Sequence, residues 1–225
     1  MKNINKESYL KNNLPFFKDL SKNEVEKLFS SSYIQNYSKG EFIYSKDKAC
    51  TGVLLVVNGQ LRSFLSSYSG KEITLFRLFD LDMCMLSASC VFQNLTCDIN
   101  LEAERNSSVI IIDSNFFKDF SSKNINVQNF FLNLTQNKLS EVMNVLEQVV
   151  FFSLDNRLSN YLINQYYLNN SNDIYITHDS IANDLGSARE VISRMLKRFE
   201  KDNLVKLSRG VIKIIDIEKL KLLCK

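Results

Sequence analysis

The chain is poor in histidine, proline and glycine, and each scarcity argues against a class of protein. Its 225 residues include one histidine (His178), one proline (Pro15), six glycines and no tryptophan. A single histidine excludes multi-histidine zinc or iron sites and argues against a histidine-based catalytic triad. Few prolines and glycines argue against collagen, a proline-rich linker and a glycine-rich phosphate loop. With no nucleophile placed beside a base, we expect a protein that is not an enzyme.

Long apolar runs are also absent. No stretch approaches the roughly 18 apolar residues of a membrane span, and residues 1–10 are polar rather than signal-like. We therefore expect a cytoplasmic protein with no membrane partner. Its five cysteines are odd in number and irregularly spaced, so they predict reduced thiols and no disulfide framework. They are Cys50, Cys84, Cys90, Cys97 and Cys224.

The formal net charge of +3 is unevenly placed. Residues 1–150 hold 16 basic and 16 acidic side chains, whereas residues 151–225 hold 12 basic and 9 acidic ones. Within residues 187–213 the excess grows to 8 basic against 3 acidic. A neutral larger part joined to a basic end is typical of a protein whose last third meets an anionic partner.

The first half of the chain predicts an antiparallel roll or barrel. Short β-branched or aromatic runs alternate with turn residues, and Asn58-Gly59 predicts a two-residue hairpin. Ser21 and Glu24 predict a capping box that opens a helix over Ser21–Phe29. The predicted strands are Glu41–Tyr44, Gly52–Val57, Gln60–Ser66, Glu72–Leu78, Asp98–Ala103 and Ser108–Ile112.

The pattern then changes to a heptad repeat. Leucines recur every seven residues between Phe130 and Phe152, with Thr135 and two valines at the intermediate positions. This a/d pattern indicates a helix that pairs with another helix, here a homodimer seam. The alternative is a long helix that lies on its own barrel. The predicted seam residues are Leu132, Leu139, Val142, Leu146 and Val149.

A helix over Asp155–Tyr167 leads to the most specific segment, residues 180–201. Ile181, Ala182 and Leu185 form the apolar face of one short helix, and Gly186 provides a left-handed turn. A second helix follows, for which Ser187 and Glu190 predict a capping box. Its inner stripe is Val191, Ile192, Met195, Leu196 and Phe199. An arginine-rich outer face completes the pattern of a DNA-binding helix-turn-helix.

A β-hairpin wing is predicted after the second helix. Residues 204–207 and 211–215 flank Ser208-Arg209-Gly210, which places Arg209 at a tip where it can meet a phosphate. With Ser187 and Lys197 it forms the predicted set of DNA-backbone contacts. Such contacts set affinity and salt dependence rather than sequence choice. Further basic residues nearby are Arg198, Lys201, Lys206 and Lys213.

Over nearly its whole length the chain resembles the Crp/Fnr family of bacterial transcription regulators. The resemblance rests on Lys39-Gly40-Glu41, Val57-Asn58-Gly59, Gly70-Lys71-Glu72, Asp155-Asn156-Arg157 and the helix-turn-helix. It implies an α+β fold with a cyclic-nucleotide-binding-like β-roll over residues 1–123. A dimerisation helix over 124–153 and a winged helix-turn-helix over 154–225 would follow. It also implies a homodimer that binds palindromic double-stranded DNA and contacts RNA polymerase.

Carried over by position, the family's base-reading residues fall on Arg189, Glu190, Ser193 and Arg194. Their chemistry suits the role, because arginine pairs with guanine, glutamate accepts from cytosine and serine bonds either way. We predict an operator with a TGA core in each half-site. A signal would act through a hinge at Leu154–Arg157 to re-aim two recognition helices.

The resemblance to cyclic-AMP-binding members fails in the expected phosphate pocket. Residues 82–92 contain no Arg, Glu or Gly, so an anionic phosphate would lack a charge partner. An iron–sulfur cluster is also not expected, since no cysteine precedes Cys50 and no C-x₂-C is present. Whether the chain binds any other metal is left open.

Two interpretations of Met83–Phe92 stay open. An apolar pocket there would suit haem, with Met143 as first candidate ligand and Met83, Cys84 and Met85 next. Haem-dependent regulators of nitrosative stress, the HcpR-like and Dnr-like members, have a similar overall pattern. Alternatively these side chains fill the core, and the protein needs no ligand or senses through its thiols. A rival class is a ligand-binding module whose helix-turn-helix contacts protein.

Overall fold

The structure is a computed structural model that describes residues 5–45, 52–85 and 99–224. The chain forms two compact units. The first comprises residues 1–65 and 75–142, and the second comprises residues 66–74 and 143–225.

The first unit begins with helices and continues as a β-roll. Helix α1 (Lys6–Asn13), a 3-10 turn (Phe17–Asp19) and helix α2 (Lys22–Ser30) precede the strands of the roll. Helix α3 (Ser114–Lys123) and the start of the long helix α4 (Ile125–Phe151) follow them. The strands are β1 (Ser32–Tyr37), β2 (Phe42–Tyr44), β3 (Val53–Asn58), β4 (Leu61–Ser66), β5 (Glu72–Leu78), β6 (Met83–Cys84), β7 (Ile99–Ala103) and β8 (Ser107–Ile112).

The strands form two four-stranded sheets, in the orders β1-β8-β3-β6 and β2-β7-β4-β5. This confirms the predicted β-rich roll, and each of the six predicted strands is present within one or two residues. The capping box is also confirmed, because Ser21 accepts from the Glu24 backbone and the Glu24 side chain reaches back to the Ser21 backbone. Strand β1 was missed because Ser32, Gln35 and Asn36 dilute its apolar pattern.

The predicted Asn58-Gly59 hairpin is wrong. Strands β3 and β4 flank this turn but belong to different sheets, so the chain crosses from one sheet to the other there. Gly59 has a φ of +111°, and a Cβ at this position would collide with Ser107. The glycine therefore serves a close approach to β8 rather than a tight hairpin.

Strand β3 is buried on both faces and divides the core of the roll. Val53, Leu55 and Val57 face a cluster that α1, α2, α3 and the start of α4 cover. Leu54 and Val56 face the cluster between the two sheets. The alternation follows from the two-residue period of a strand, and it explains why the run from Val53 to Val57 is apolar without interruption.

Helix α4 uses two faces. Val127 and Phe131 are buried against the roll, and Val142 packs on the cluster between the sheets. The other predicted seam side chains are exposed: Leu132 by 56%, Leu139 by 59%, Leu146 by 51% and Val149 by 43%. The helix therefore lies partly on its own roll, as the alternative interpretation held, while most of its heptad face is uncovered in the single chain. None of the described helices is long and apolar enough to cross a membrane.

The second unit contains the end of α4 and a winged helical fold. The elements are α5 (Leu154–Asn169), β9 (Asp173–Tyr175), α6 (His178–Leu185), α7 (Arg189–Lys201), β10 (Val205–Ser208), β11 (Val211–Ile214) and α8 (Ile217–Leu222). The predicted helix-turn-helix and wing are both present. Strand β9 was not predicted, and it extends the wing to a three-stranded sheet in the order β10-β11-β9.

The chain direction changes between α4 and α5 at Phe152 and Ser153, where Ser153 caps α5 by accepting from the Asn156 backbone. The predicted boundaries at residues 123 and 153 lie at the ends of α3 and α4 to within two residues. The domain limits themselves stay a prediction.

Candidate nucleic-acid interface

The burial of one side of α7 fixes which of its residues face outward. Ile192, Leu196 and Phe199 are at most 1% exposed and pack in the core of the second unit. Because a helix turns about 100° per residue, this stripe leaves Arg189, Glu190 and Arg194 exposed on the outer side. The inner stripe was predicted from the sequence, and its burial is confirmed for four of its five residues, while Val191 is half-buried.

The turn between α6 and α7 depends on Gly186. The residue has a φ of +67° and ends α6, and the Ser187 backbone N–H donates to Ala182 O at 2.9 Å. Arg157 on α5 supports the same turn, since its Nη1 donates to Leu185 O at 2.8 Å. The predicted left-handed glycine is thus confirmed, whereas the contact from Arg157 has no local sequence signal.

A buried carboxylate also anchors α6. Asp184 is 9% exposed and accepts two hydrogen bonds, from Thr74 Oγ1 at 2.6 Å and from the Tyr161 hydroxyl at 2.7 Å. Two donors are needed because a buried carboxylate without partners is costly. These contacts hold the first helix of the helix-turn-helix against α5 and residues 66–74 of the same unit.

The predicted capping box of α7 is wrong. The N-cap is Ala188, which offers no side-chain hydrogen bond, and Ser187 lies one residue outside it. Because the turn places Ser187 outside the cap, its hydroxyl does not satisfy the first backbone N–H groups of α7. Glu190 consequently has no capping role, and its exposed carboxylate remains available to a ligand.

The exposed arginines at the start of α7 are held only weakly. Arg189 Nε lies 3.6 Å from Asp179 Oδ2, and both side chains are about three-fifths exposed. An exposed pair of this kind contributes less than about 1 kcal/mol, so Arg189 can leave it for a better partner. Within the described residues no side-chain hydrogen bond or ion pair engages Arg194.

Ser193 does not point freely into solvent. Its Oγ lies 2.8 Å from His178 Nδ1, at the first residue of α6. Burial, followed by the positive charge of Arg189, lowers the pKa of His178, while Asp179 opposes the shift and Lys197 adds to it. His178 was not predicted as a partner of Ser193, because fifteen residues of chain separate the two.

The predicted backbone contacts lie around α7 and the wing. Lys197 is exposed on α7, and Arg209 is exposed in the two-residue turn that joins β10 to β11. Gly210 beside it has a φ of +73°. Ser187 is half-buried, with its backbone N–H engaged in the turn. Arg198 differs from the others because it is paired with Asp155.

The residues predicted for an effector pocket have different surroundings. Met83 and Cys84 are 4% and 2% exposed and lie in the two different clusters on either side of β6. Met85 is half-buried, and its sulfur lies 3.9 Å from Thr135 Oγ1. Met143 is 52% exposed. Residues 86–92 of the predicted pocket lie outside the described residues.

Because Met83 and Cys84 face opposite sides of one strand, at most one of them can face any shared ligand. Their burial fits the core-filling interpretation better than joint ligation of haem. Among the described residues, no group of three or more His, Cys, Asp or Glu side chains is placed to hold a metal ion. Cys84 and Cys224 form no disulfide within the described residues, and burial raises the pKa of Cys224. Cys50, Cys90 and Cys97 lie outside the described part of the chain.

A winged helix-turn-helix with a basic outer face defines a DNA-binding protein, and comparison with known proteins supports this class. Residues 156–223 match the Crp-like helix-turn-helix domain, and residues 34–124 match the cyclic nucleotide-binding domain. A solved structure of a transcriptional regulator of the Crp/Fnr family from Eubacterium rectale is 40% identical, with a TM-score of 0.88. The match covers 95% of this chain and 99% of that one.

Two more distant relatives are also similar to this chain over most of its length. The transcriptional regulatory protein btr of Bordetella pertussis is 25% identical over 208 residues, which cover 88% of this chain and 84% of that protein. A variant of CooA from Carboxydothermus hydrogenoformans shares the fold, with 19% identity and a TM-score of 0.67 over 95% of this chain and 96% of that one. The chain belongs to the Crp/Fnr family and is a DNA-binding transcription regulator.

The capping geometry of α7 can be tested by moving the serine. We expect Ala188→Ser to raise the free energy of unfolding by about 1 kcal/mol, because the new hydroxyl can accept from the Val191 N–H. The matched variant Ser187→Ala should change it by less than about 0.5 kcal/mol. Urea unfolding without DNA measures both, and a larger loss for Ser187→Ala would restore Ser187 as the cap.

Proposed function

We propose that the protein is a homodimer that reads a two-fold symmetric operator with α7 and responds to a signal other than cyclic AMP. The observation that carries the proposal is the outer face of α7. It presents Arg189, Glu190 and Arg194 while the opposite face is fixed in the core. Two such helices related by a dimer axis would enter successive major grooves about 34 Å apart.

The chemistry of the outer face suits guanine and cytosine edges. An arginine can donate two hydrogen bonds to O6 and N7 of guanine, and a glutamate can accept from cytosine N4. The absence of a capping bond to Glu190 supports its assignment as a reader. This set supports the TGA core predicted for each half-site, in which adjacent thymine, guanine and adenine edges face the first turns of α7.

The proposal that two chains pair rests on the exposed heptad face of α4. Leu139 and Leu146 are each more than half exposed, and they repeat at the spacing of a coiled-coil seam. Leaving several large apolar side chains in water along one stripe is unfavourable, so a second copy of the same helix is the natural cover. We also propose RNA polymerase as a partner of the DNA-bound protein, because the resemblance to the family implies this contact.

The signal stays a prediction. The absence of Arg, Glu and Gly from residues 82–92 supports a signal other than cyclic AMP. For haem and the nitrosative-stress type of regulator, Met143 and Met85 are the preferred candidate ligands among the four predicted, because the Met83 and Cys84 side chains are buried in two separate clusters. The competing hypothesis is a regulator that needs no ligand or that senses through its thiols.

DNA reading predicts two distinct effects of charge removal. Arg194→Ala should weaken operator binding by about tenfold or more and relax the choice of one base, because it removes a base contact. Lys197→Ala should instead weaken binding to all sequences alike and reduce the salt slope by about one, because it removes a phosphate contact. Lys118→Ala on α3 removes the same charge from the roll and serves as the control.

Titration of labelled operator and scrambled DNA at several salt concentrations measures these effects. Equal losses for Lys118→Ala and Lys197→Ala would contradict the assigned interface. No binding of the unaltered protein to DNA selected from a random pool, at any salt, would favour a helix-turn-helix that contacts protein instead.

If the exposed heptad face of α4 is the dimer interface, one charge introduced on that face should separate the subunits. Leu139→Asp should convert a dimer to a monomer, because it places a carboxylate among apolar side chains. Asn137→Asp adds the same charge on an exposed part of the helix away from the a/d positions, and it should leave the dimer intact. Sedimentation velocity distinguishes the two, and an unchanged mass for Leu139→Asp would contradict the seam.

The haem hypothesis predicts an absorbance signature. Protein purified without oxygen, mixed with hemin and then separated from unbound hemin by gel filtration should retain a Soret band that Met143→Leu shifts or removes, because leucine keeps the apolar volume without the sulfur. Met85→Leu tests the second candidate ligand in the same way. A flat spectrum of the unaltered protein would eliminate haem and leave the thiol and ligand-free hypotheses.

A further inference from the structure

The contact between α6 and α7 restricts one of the base-reading residues. Within the described part of the chain, the one hydrogen-bond partner of Ser193 Oγ is Nδ1 of His178, 2.8 Å away. A serine hydroxyl has one proton to donate, so what it offers to DNA depends on which atom of this pair carries the hydrogen. The partner of Ser193 therefore determines how Ser193 can read a base.

We propose that His178 is a positioning residue that holds the Ser193 hydroxyl as a donor to Nδ1, so that Ser193 presents only its lone pairs to the DNA. This inference rests on the proposed role of α7 in base reading. In the major groove an acceptor selects cytosine N4 or adenine N6 and disfavours the acceptor atoms of guanine and thymine. His178 thus acts on specificity without touching a base.

The local charges support a neutral imidazole. Burial lowers the pKa of His178, and the positive groups of Arg189 and Lys197 on α7 act in the same direction. Asp179 on α6 opposes them. At neutral pH the ring then carries one hydrogen, and placing it on Nε2 leaves Nδ1 free to accept from the serine.

Protonation would reverse the arrangement. When both ring nitrogens carry hydrogen, Nδ1 becomes a donor and Ser193 Oγ must accept from it. The serine proton is then released toward the DNA, where it suits guanine O6 or N7 or thymine O4. Since the lowered pKa moves this change to acidic pH, the base preference at one operator position should differ between neutral and acidic solution.

The hydrogen position can be measured on the full protein without DNA. The sequence contains one histidine, so the imidazole nitrogen signals in a proton–nitrogen NMR spectrum need no assignment. We expect hydrogen on Nε2 at pH 7.5, and a shift of the Nδ1 signal in Ser193→Ala. Hydrogen on Nδ1 in the unaltered protein would overturn the inference, whether or not the protein binds DNA.

Selection from a randomised operator pool tests the consequence, at pH 7.5 and at a pH below the midpoint of the His178 titration that the NMR spectra record. The unaltered protein should favour cytosine or adenine at one position at pH 7.5, by about fivefold or more, and lose or reverse this choice below that midpoint. His178→Phe keeps a ring of similar size without the acceptor nitrogen. This variant should show no base preference at that position at either pH, while it binds scrambled DNA as before. Ser193→Ala removes the same hydrogen bond from the other side and should also lose the preference.

The outcomes separate the two proposals. If His178→Phe selects the same bases as the unaltered protein at both pH values, His178 does not position Ser193, although DNA reading by α7 stands. If the unaltered protein selects no sequence at all, the proposed function fails, and the NMR result alone then decides the hydrogen bond. Circular dichroism confirms that each variant is folded before selection.

Discussion

The burial of the apolar stripe of α7 is the constraint on which the functional surface depends. Ile192, Leu196 and Phe199 are almost fully removed from water, which fixes the rotation of the helix about its axis. The outward direction of Arg189 and Arg194 follows from that rotation. The outward direction of these side chains is fixed because the opposite face of α7 is buried. Their charged groups can still change partners because they are exposed to solvent.

Long-range polar contacts hold the first helix of the helix-turn-helix in place, in addition to the buried stripe of α7. Asp184 joins α6 to Tyr161 and Thr74, and Arg157 joins α5 to the end of α6. These bonds involve buried or half-buried groups, so losing one partner would leave a costly unpaired atom. They hold α6 in place, and His178 at the start of α6 in turn constrains Ser193. A side chain of α7 that we propose to read a base is thereby in contact with the first helix of the motif.

The periodic parts of the molecule could be predicted from sequence. Short strands, the heptads of α4 and the amphipathic stripe of α7 repeat at the period of their element, and local sequence carries that period. Three predictions failed for other reasons. Asn58-Gly59 was assigned to a hairpin, Ser187 to a cap, and strand β9 was missed. Two of these outcomes depend on distant parts of the chain, since Gly59 meets Ser107 and β9 pairs with β11. The third depends on the geometry of the turn at Gly186, which places Ser187 outside the cap.

The sequence by itself determined the class of protein, because charge distribution, glycine position and hydrophobic spacing are local properties that a winged helix-turn-helix requires together. Only the tertiary structure decided that Met83 and Cys84 belong to separate clusters, since a one-residue step on a strand reverses the face. Likewise, only the packing of α6 on α7 brought His178 to Ser193. Neither residue's local sequence records this contact, which exists because folding closes the distance between two helices.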